Sequence, residues 1–284
     1  IYPLWKRNRR ALGLVLGAFV YVVIGLTYIT NFGFDRESVW LNTKFYIPAY
    51  MMAAILTGVA VAWLASFTPR GKAVAIAAAA VMFVLPLTAH YRTNDKSDYY
   101  FARDFGINML KTLDKDALYF PSTDHFIYPL FYLQAVEGLR PDVTIVTKFG
   151  YPEPEFYKNM PAALRGGNTG RIQTKVEKAA IEEWIVANNT RPSFFSRMRS
   201  LTDVDVVSAG LLYKAVPKGT VIPAVDYWSQ YTWHTLKPED ARGDMFAEIV
   251  LAECHFARGR DFFNQGDNAR ALEEMAAAVS MAPT

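Results

Sequence analysis

The chain has one cysteine, Cys254, in 284 residues. An internal disulfide is therefore excluded, and any water-exposed domain must stand on its own apolar core. Charge of one sign is also scarce. Thirty Lys and Arg against 27 Asp and Glu leave +3, too little for a nucleic-acid footprint. The four histidines, His90, His125, His234 and His255, fall at no ligand spacing, so the sequence predicts no metal site built by this chain. Gly166-Gly167-Asn168-Thr169-Gly170 lacks a following Gly-Lys-Ser/Thr and reads as a loop, not a phosphate cradle.

Charge is missing altogether from three stretches: Ala11–Thr30, Phe45–Phe67 and Ala73–Ala89. A spanning helix needs about 20 apolar residues for a hydrocarbon core of roughly 30 Å. The first two runs have that length, and the third is shorter and carries Pro86. About 195 mostly polar residues follow, enough for one soluble core, and the mean hydropathy of +0.07 averages over this division. Lys6, Arg7, Arg9 and Arg10 precede the first run as in a signal peptide. The run is too long for an h-region, no A-x-A site follows, and two more runs come next. Ile1 in place of Met, and an end just past a helical pattern, read as a piece cut from a longer protein.

The basic segments Lys6–Arg10 and Arg70–Lys72 share one side if each run crosses once, and the positive-inside rule makes that side cytoplasmic. The loop Asn31–Lys44 and everything after His90 are then expected outside. A third run buried in the soluble part would reverse that orientation. The outer loop sets Asp35, Arg36, Glu37 and Lys44 at the water boundary, where a cation could hold a lipid-linked phosphate. The bland alternative is a solvated loop.

Lys44-Phe45-Tyr46-Ile47-Pro48-Ala49-Tyr50 leads into the second run. It is followed by Tyr99–Asp104, Asp116–Phe120, Thr123-Asp124, Pro129–Gln134 and Val136–Val143, the last containing Arg140-Pro141-Asp142. This ordered set resembles the protein O-mannosyltransferase-like family of multipass membrane proteins, which have a GT-C architecture. The resemblance runs from about Asn31 to the end of the soluble domain. It implies glycosyl transfer, with mannose the expected sugar, from a lipid-phosphate donor at the outer face. It implies Lys44, Tyr46 and Arg36 as candidate donor-phosphate contacts. A divalent ion held with the lipid phosphate is compatible with it; the chain itself builds no cofactor site. The family's catalytic carboxylate sits in a first outer loop, whereas the loop before Phe45 matches a late one. Asp35 is not assigned that role, and the catalytic residue is expected to be absent.

Within the soluble part, Tyr99–Leu113 and Phe126–Val136 have helical spacing, and Ala117–Phe120 and Val143–Thr147 read as strands. Strand, helix, strand with short joins predicts a parallel βαβ unit. Asp124 and His125 then lie at the carboxyl end of its first strand, where α/β sheets place ligands, and are candidate acceptor or ligand contacts. Asp124 also suits the helix N-cap. Val176–Ala187 reads as a helix, and Ser193–Phe195 and Leu211–Val216 as strands. Gly259, Phe262, Gly266, Ala271, Met275, Ala278 and Pro283 fit one tetratricopeptide repeat, which needs neighbours to bury its faces.

The predicted fold class is membrane α-helical, with three spans of an incomplete GT-C bundle, plus a soluble α/β domain and a C-terminal tetratricopeptide helix pair. The expected boundaries are 1–90, 91–235 and 236–284. Expected partners are the lipid bilayer, a lipid-linked sugar and, through the repeat, a protein acceptor or partner; no nucleic acid is expected. The rival readings are a non-catalytic membrane-tethered scaffold and a transporter or flippase fragment. The absence of ionisable residues inside the three runs speaks against the transporter.

Overall fold

The structure, a computed structural model, describes residues 6, 8–30, 33, 36–67, 69–146, 159–161, 164, 175–220, 225–234 and 244–281. It is mostly helical, with one small mixed sheet, and the chain divides into two compact units, 1–98 and 99–284. The expected loop at Gly166–Gly170 lies outside the described residues, as do Asp35, Thr147 and Pro283.

In the first unit, α1 (Arg9–Val20) starts at Asn8, whose Oδ1 accepts the Ala11 N–H at 3.0 Å. It widens into a π-helical turn, Tyr21–Leu26, and closes with α2 (Thr27–Thr30). Then come α3 (Arg36–Phe45), α4 (Ile47–Ala65) with Pro48 in its first turn, and α5 (Gly71–Asn94). Among the described residues three stretches are long and apolar enough to cross a membrane: Arg9–Ile29, Ile47–Ala65 and Gly71–Arg92. Their outward side chains, Leu14, Ile24, Ile55, Phe83 and Leu85 among them, are exposed and need lipid.

Two details differ from the sequence reading. The segment expected as a loop holds α3, because nothing from Arg36 to Phe45 is Gly or Pro and Lys44 in the last turn complements the helix dipole. The third run does not stop near Pro86 or Ala89. It continues to Asn94, where the Asp95 N–H closes on the Tyr91 carbonyl at 2.8 Å.

The second unit is a three-layer arrangement. Its elements are α6 (Phe101–Thr112), β1 (Leu118–Phe120), α7 (Asp124–Ala135), β2 (Thr144–Ile145), α8 (Lys175–Ala187), β3 (Ser193–Phe195), β4 (Val204–Ala209), β5 (Leu212–Pro217), α9 (Met245–Asn264) and α10 (Asn268–Met281). The strand order is β2-β1-β3-β5-β4. The pairs β1–β2 and β1–β3 are parallel, and β5 is antiparallel to both β3 and β4. The expected βαβ unit is present, and the hairpin strand β4 is an addition to it.

Alternation along the strands splits the core in two. Tyr119, Phe194 and Leu212 pack with Phe105, Met109, Leu130 and Leu133 of α6 and α7, and with Val250, Leu251 and Cys254 of α9. Leu118, Phe120, Phe195 and Tyr213 face the other way, onto Ile181 and Ile185 of α8. β1 is buried on both faces, which is why its sequence is a continuous apolar run. Cys254 is a core residue; burial pushes its thiol pKa well up, so it stays protonated and inert.

α9 and α10 turn about Gly266 and pack closely. A Cβ on Gly259 would meet the Met275 Cγ at 2.9 Å and the Ala271 carbonyl oxygen at 3.1 Å. Ala271 is buried at the same crossing, while Glu273 is exposed. Ala271→Leu is therefore expected to overpack the pair at a cost of about 1–3 kcal/mol. Glu273→Leu should stay within about 0.5 kcal/mol. Thermal unfolding of both variants checks the ranking, and greater damage from Glu273→Leu would mean the helix register is wrong.

Candidate functional site at the strand-order reversal

From β1 the chain moves outward to β2 and then returns to the other side of β1 as β3. Open α/β sheets bind ligands at such a reversal, outside the carboxyl ends of the strands. Here those ends carry Pro121–His125 after β1 and Ser196–Arg199 after β3.

The two segments are tied together. The Ser122 N–H donates to Ser196 Oγ at 2.8 Å, and the Ser196 hydroxyl donates back to Ser122 Oγ at 2.8 Å. Beneath them the Tyr119 phenol is enclosed; burial pushes its pKa well up, with a bond to Ser196 acting in the opposite direction. His125 Nε2 lies 3.1 Å from Thr123 Oγ1 and 3.1 Å from Glu253 Oε2 of α9. Arg197 Nη2 stands 3.5 Å from the other Glu253 oxygen. On the far side Lys178 Nζ donates to the Pro121 carbonyl at 3.3 Å and sits 3.0 Å from Glu182 Oε1. Arg199 Nε is 3.3 Å from Glu182 Oε2. Glu182 is buried, and neither of its oxygens is in hydrogen-bond geometry with a described residue, although both touch cations.

Lys178, Arg197 and Arg199 thus balance Asp124, Glu182 and Glu253. Such a rim offers alternating donors and acceptors with no net charge. Such a balance favours neither a phosphate, which would meet the carboxylates, nor a bare cation, which would meet the Lys and Arg groups. Among the described residues no group of three or more His, Cys, Asp or Glu is placed to hold a metal ion.

The residues singled out from sequence fall into two places. Asp124 is exposed in the first turn of α7, and the helix N-cap is Thr123 rather than Asp124, without a side-chain capping bond. His125 is half-buried beside Thr123 and Glu253. In the other unit, Lys44 is exposed in the last turn of α3. Tyr46 forms the joint between α3 and α4, with its hydroxyl 2.7 Å from Thr27 Oγ1. Arg36 opens α3, and its side chain lies outside the described residues.

Sequence reasoning missed the strap formed by residues 227–234. It lies along α6, held by a buried polar seam of Asp104, Asn108 and Thr112. Asn108 donates to the Thr232 carbonyl and accepts its N–H, both at 3.0 Å. Thr112 Oγ1 is 2.6 Å from the Tyr231 hydroxyl, and burial pushes the Tyr231 phenol up. Asp104 accepts the His234 N–H at 2.6 Å and bonds His234 Nδ1 at 2.8 Å. The available signal was three polar residues at i, i+4 and i+8 inside a helix that otherwise faces a core. Glu253, Arg197 and Glu182 were missed as well, since only the tertiary fold brings them to β1.

Residues 102–159 match the model of TMEM260-associated domain 2. Over that stretch the chain is similar to a domain of TMEM260, a protein O-mannosyltransferase-like membrane protein. The match takes in α6, β1, α7 and β2, and with them Ser122–His125; Ser196–Arg199 and Glu253 lie beyond it. No curated protein and no solved structure matches the chain. With three helices of membrane-crossing length, the chain is a membrane protein.

Proposed function

We propose that this protein works in glycosyl transfer at the outer membrane face, from a lipid-phosphate sugar, with mannose the expected sugar, to a protein or other acceptor. The observation that carries the proposal is the match to TMEM260-associated domain 2 in a chain that also holds three membrane-length helices. The net-neutral rim around Ser122–His125 supports it, because an acceptor hydroxyl or a sugar ring is the kind of ligand such a rim accommodates. In this reading the spans belong to a GT-C bundle and Lys44, Tyr46 and Arg36 face the donor phosphate. Asp124 and His125 face the acceptor. The α9–α10 pair serves as one tetratricopeptide unit that receives a protein partner; the close Gly259–Ala271 crossing and the Gly266 turn support that assignment.

The test is transfer itself. Membranes from cells with and without the protein are supplied with radiolabelled lipid-phosphate mannose, and label entering protein is measured. The proposal expects transfer that disappears with the protein; equal transfer from both membranes overturns it. In the same assay Lys44→Ala should weaken donor use more than Arg36→Ala. Lys44 adjoins the entry to an apolar helix, where a charge-assisted phosphate contact is worth about 1.5–3 kcal/mol, roughly tenfold or more in affinity. Equal donor kinetics for the two variants would count against the Lys44 assignment.

A further inference from the structure

Beyond its first turn, where Asp124 is exposed, helix α7 carries Gln134 as its one polar side chain besides the two tyrosines. Phe126, Ile127, Leu130 and Leu133 face the core and are buried. The opposite face carries Tyr128, Phe131, Tyr132 and Ala135, at i, i+3, i+4 and i+7, and Val136 continues it past the last turn. Tyr128 and Tyr132 each expose more than half their surface, 56% and 52%, and Val136 exposes 68%. From Phe126 to Val136 the sequence holds no charged residue. A helix face turned to water normally carries charge along its length, and this one has none past Asp124 in the first turn.

The chemistry of the two tyrosines narrows what covers the face. Neither phenol hydroxyl makes a hydrogen bond to a described residue, although both rings stand outward. An aromatic body beside a hydroxyl with no protein partner is the composition of the belts found at headgroup level in bilayers. At the edge of the face Arg103 and Glu137 neutralise each other through a bidentate pair of 2.9 and 2.8 Å. The Asp124 carboxylate, exposed one turn before Tyr128, remains at the N-terminal end of the face, and it does not select for an anionic partner.

The sequence supplies the remaining argument. Only residues 95–98 separate Asn94, the end of a membrane-length helix, from Tyr99, where this unit begins. A tether of that length reaches at most about 18 Å. A lipid surface is therefore always at hand for the unit, at high effective concentration, whereas a second copy or a soluble protein must be recruited.

We propose that the Tyr128, Phe131, Tyr132 and Val136 face of α7 rests in the headgroup layer of the membrane that the chain crosses. Contact of this kind is made by neutral amphipathic rings, so it needs no anionic lipid and resists salt.

The experiment uses the full chain in nanodiscs of phosphatidylcholine. Because Cys254 is buried with its thiol held protonated, one introduced surface cysteine can be labelled selectively. An environment-sensitive fluorophore is placed by Tyr132→Cys and, as a control, by Lys218→Cys in the exposed turn after β5. Melting curves matching the parent show that both variants fold. Headgroup spin-labelled lipid should remove most of the fluorescence at position 132, leave position 218 bright, and act equally in low and high salt. Equal quenching at both positions, or none at 132, overturns the proposal. So does a label at 132 that is shielded from lipid but transfers energy to a second labelled copy, since the face would then be a protein interface.

Discussion

Gly210→Ala is expected to lower the stability of the second unit by about 2–5 kcal/mol. Gly210 forms the two-residue turn of the β4–β5 hairpin with Leu211 and has φ +55°, where a side chain costs about 1–2 kcal/mol on its own. The strap adds a second penalty. A Cβ at this position would stand 2.1 Å from the Tyr231 hydroxyl and 2.8 Å from the Tyr227 Cβ. Overpacking of that kind costs about 1–3 kcal/mol. The Tyr231 hydroxyl cannot simply retreat, because it also accepts the Leu211 N–H at 3.1 Å and meets Thr112. Gly219 provides the control: its φ is +73°, yet nothing lies within 4 Å of its added Cβ. Gly219→Ala should therefore lose only the backbone part, about 1–2 kcal/mol. Unfolding of the full chain in detergent, followed by near-ultraviolet circular dichroism, compares them. Equal losses would mean that the strap does not sit on the hairpin.

The second large effect is expected at Arg140. Its guanidinium grips Asp142 through Nε and Nη2, at 2.9 and 2.8 Å. It also donates to three carbonyls that end α6: Leu110 at 2.7 Å, Leu113 at 2.9 Å and Asp114 at 2.7 Å. These are acceptors that a helix terminus leaves unfilled. Arg140→Ala strands them together with a carboxylate. The group is partly solvated, so the expected loss is about 2–4 kcal/mol rather than the full cost of breaking a buried pair. Arg103→Ala, which breaks a more exposed pair with Glu137, should lose clearly less.

The pH dependence separates this role from simple packing. The Arg140 hydrogen bond is the main cause holding the Asp142 carboxyl far below the usual carboxylate range. A depressed folded value stabilises above the unfolded value, near 4, and that contribution drains away as pH falls from there toward the folded value. The parent should lose stability over that acid window, and Arg140→Ala should lose less of it. Identical acid limbs would show that Asp142 is not held by Arg140.

Much of the second unit was legible because its signals are local. β1 is a short apolar run between Asp116 and Pro121, and α7 ends before Gly138 and Pro141. The Arg140–Asp142 contact could be expected because both residues belong to one turn. β4 was overlooked even though Val204–Ala209 is rich in β-branched residues, because pairing with β5, rather than a strong apolar run, makes it a strand. The candidate site was half legible. Asp124 and His125 follow from the βαβ pattern, but Glu253 reaches His125 from 128 residues away. No spacing rule reports a contact of that span. The three helices of membrane-crossing length were readable from length and charge alone, and α3 was hidden because a polar boundary segment gives a weak period.

The seam on α6 bears on how the protein is made. Asn108 waits for Thr232, 124 residues further along the chain. At synthesis rates of about 5–20 residues per second, that is roughly 6–25 s. During that interval an all-apolar helix face would be open to misassociation beside a membrane. Asp104, Asn108 and Thr112 let water occupy the stripe until the strap arrives and replaces it, so the bonds that later fasten the unit first keep its nascent helix soluble.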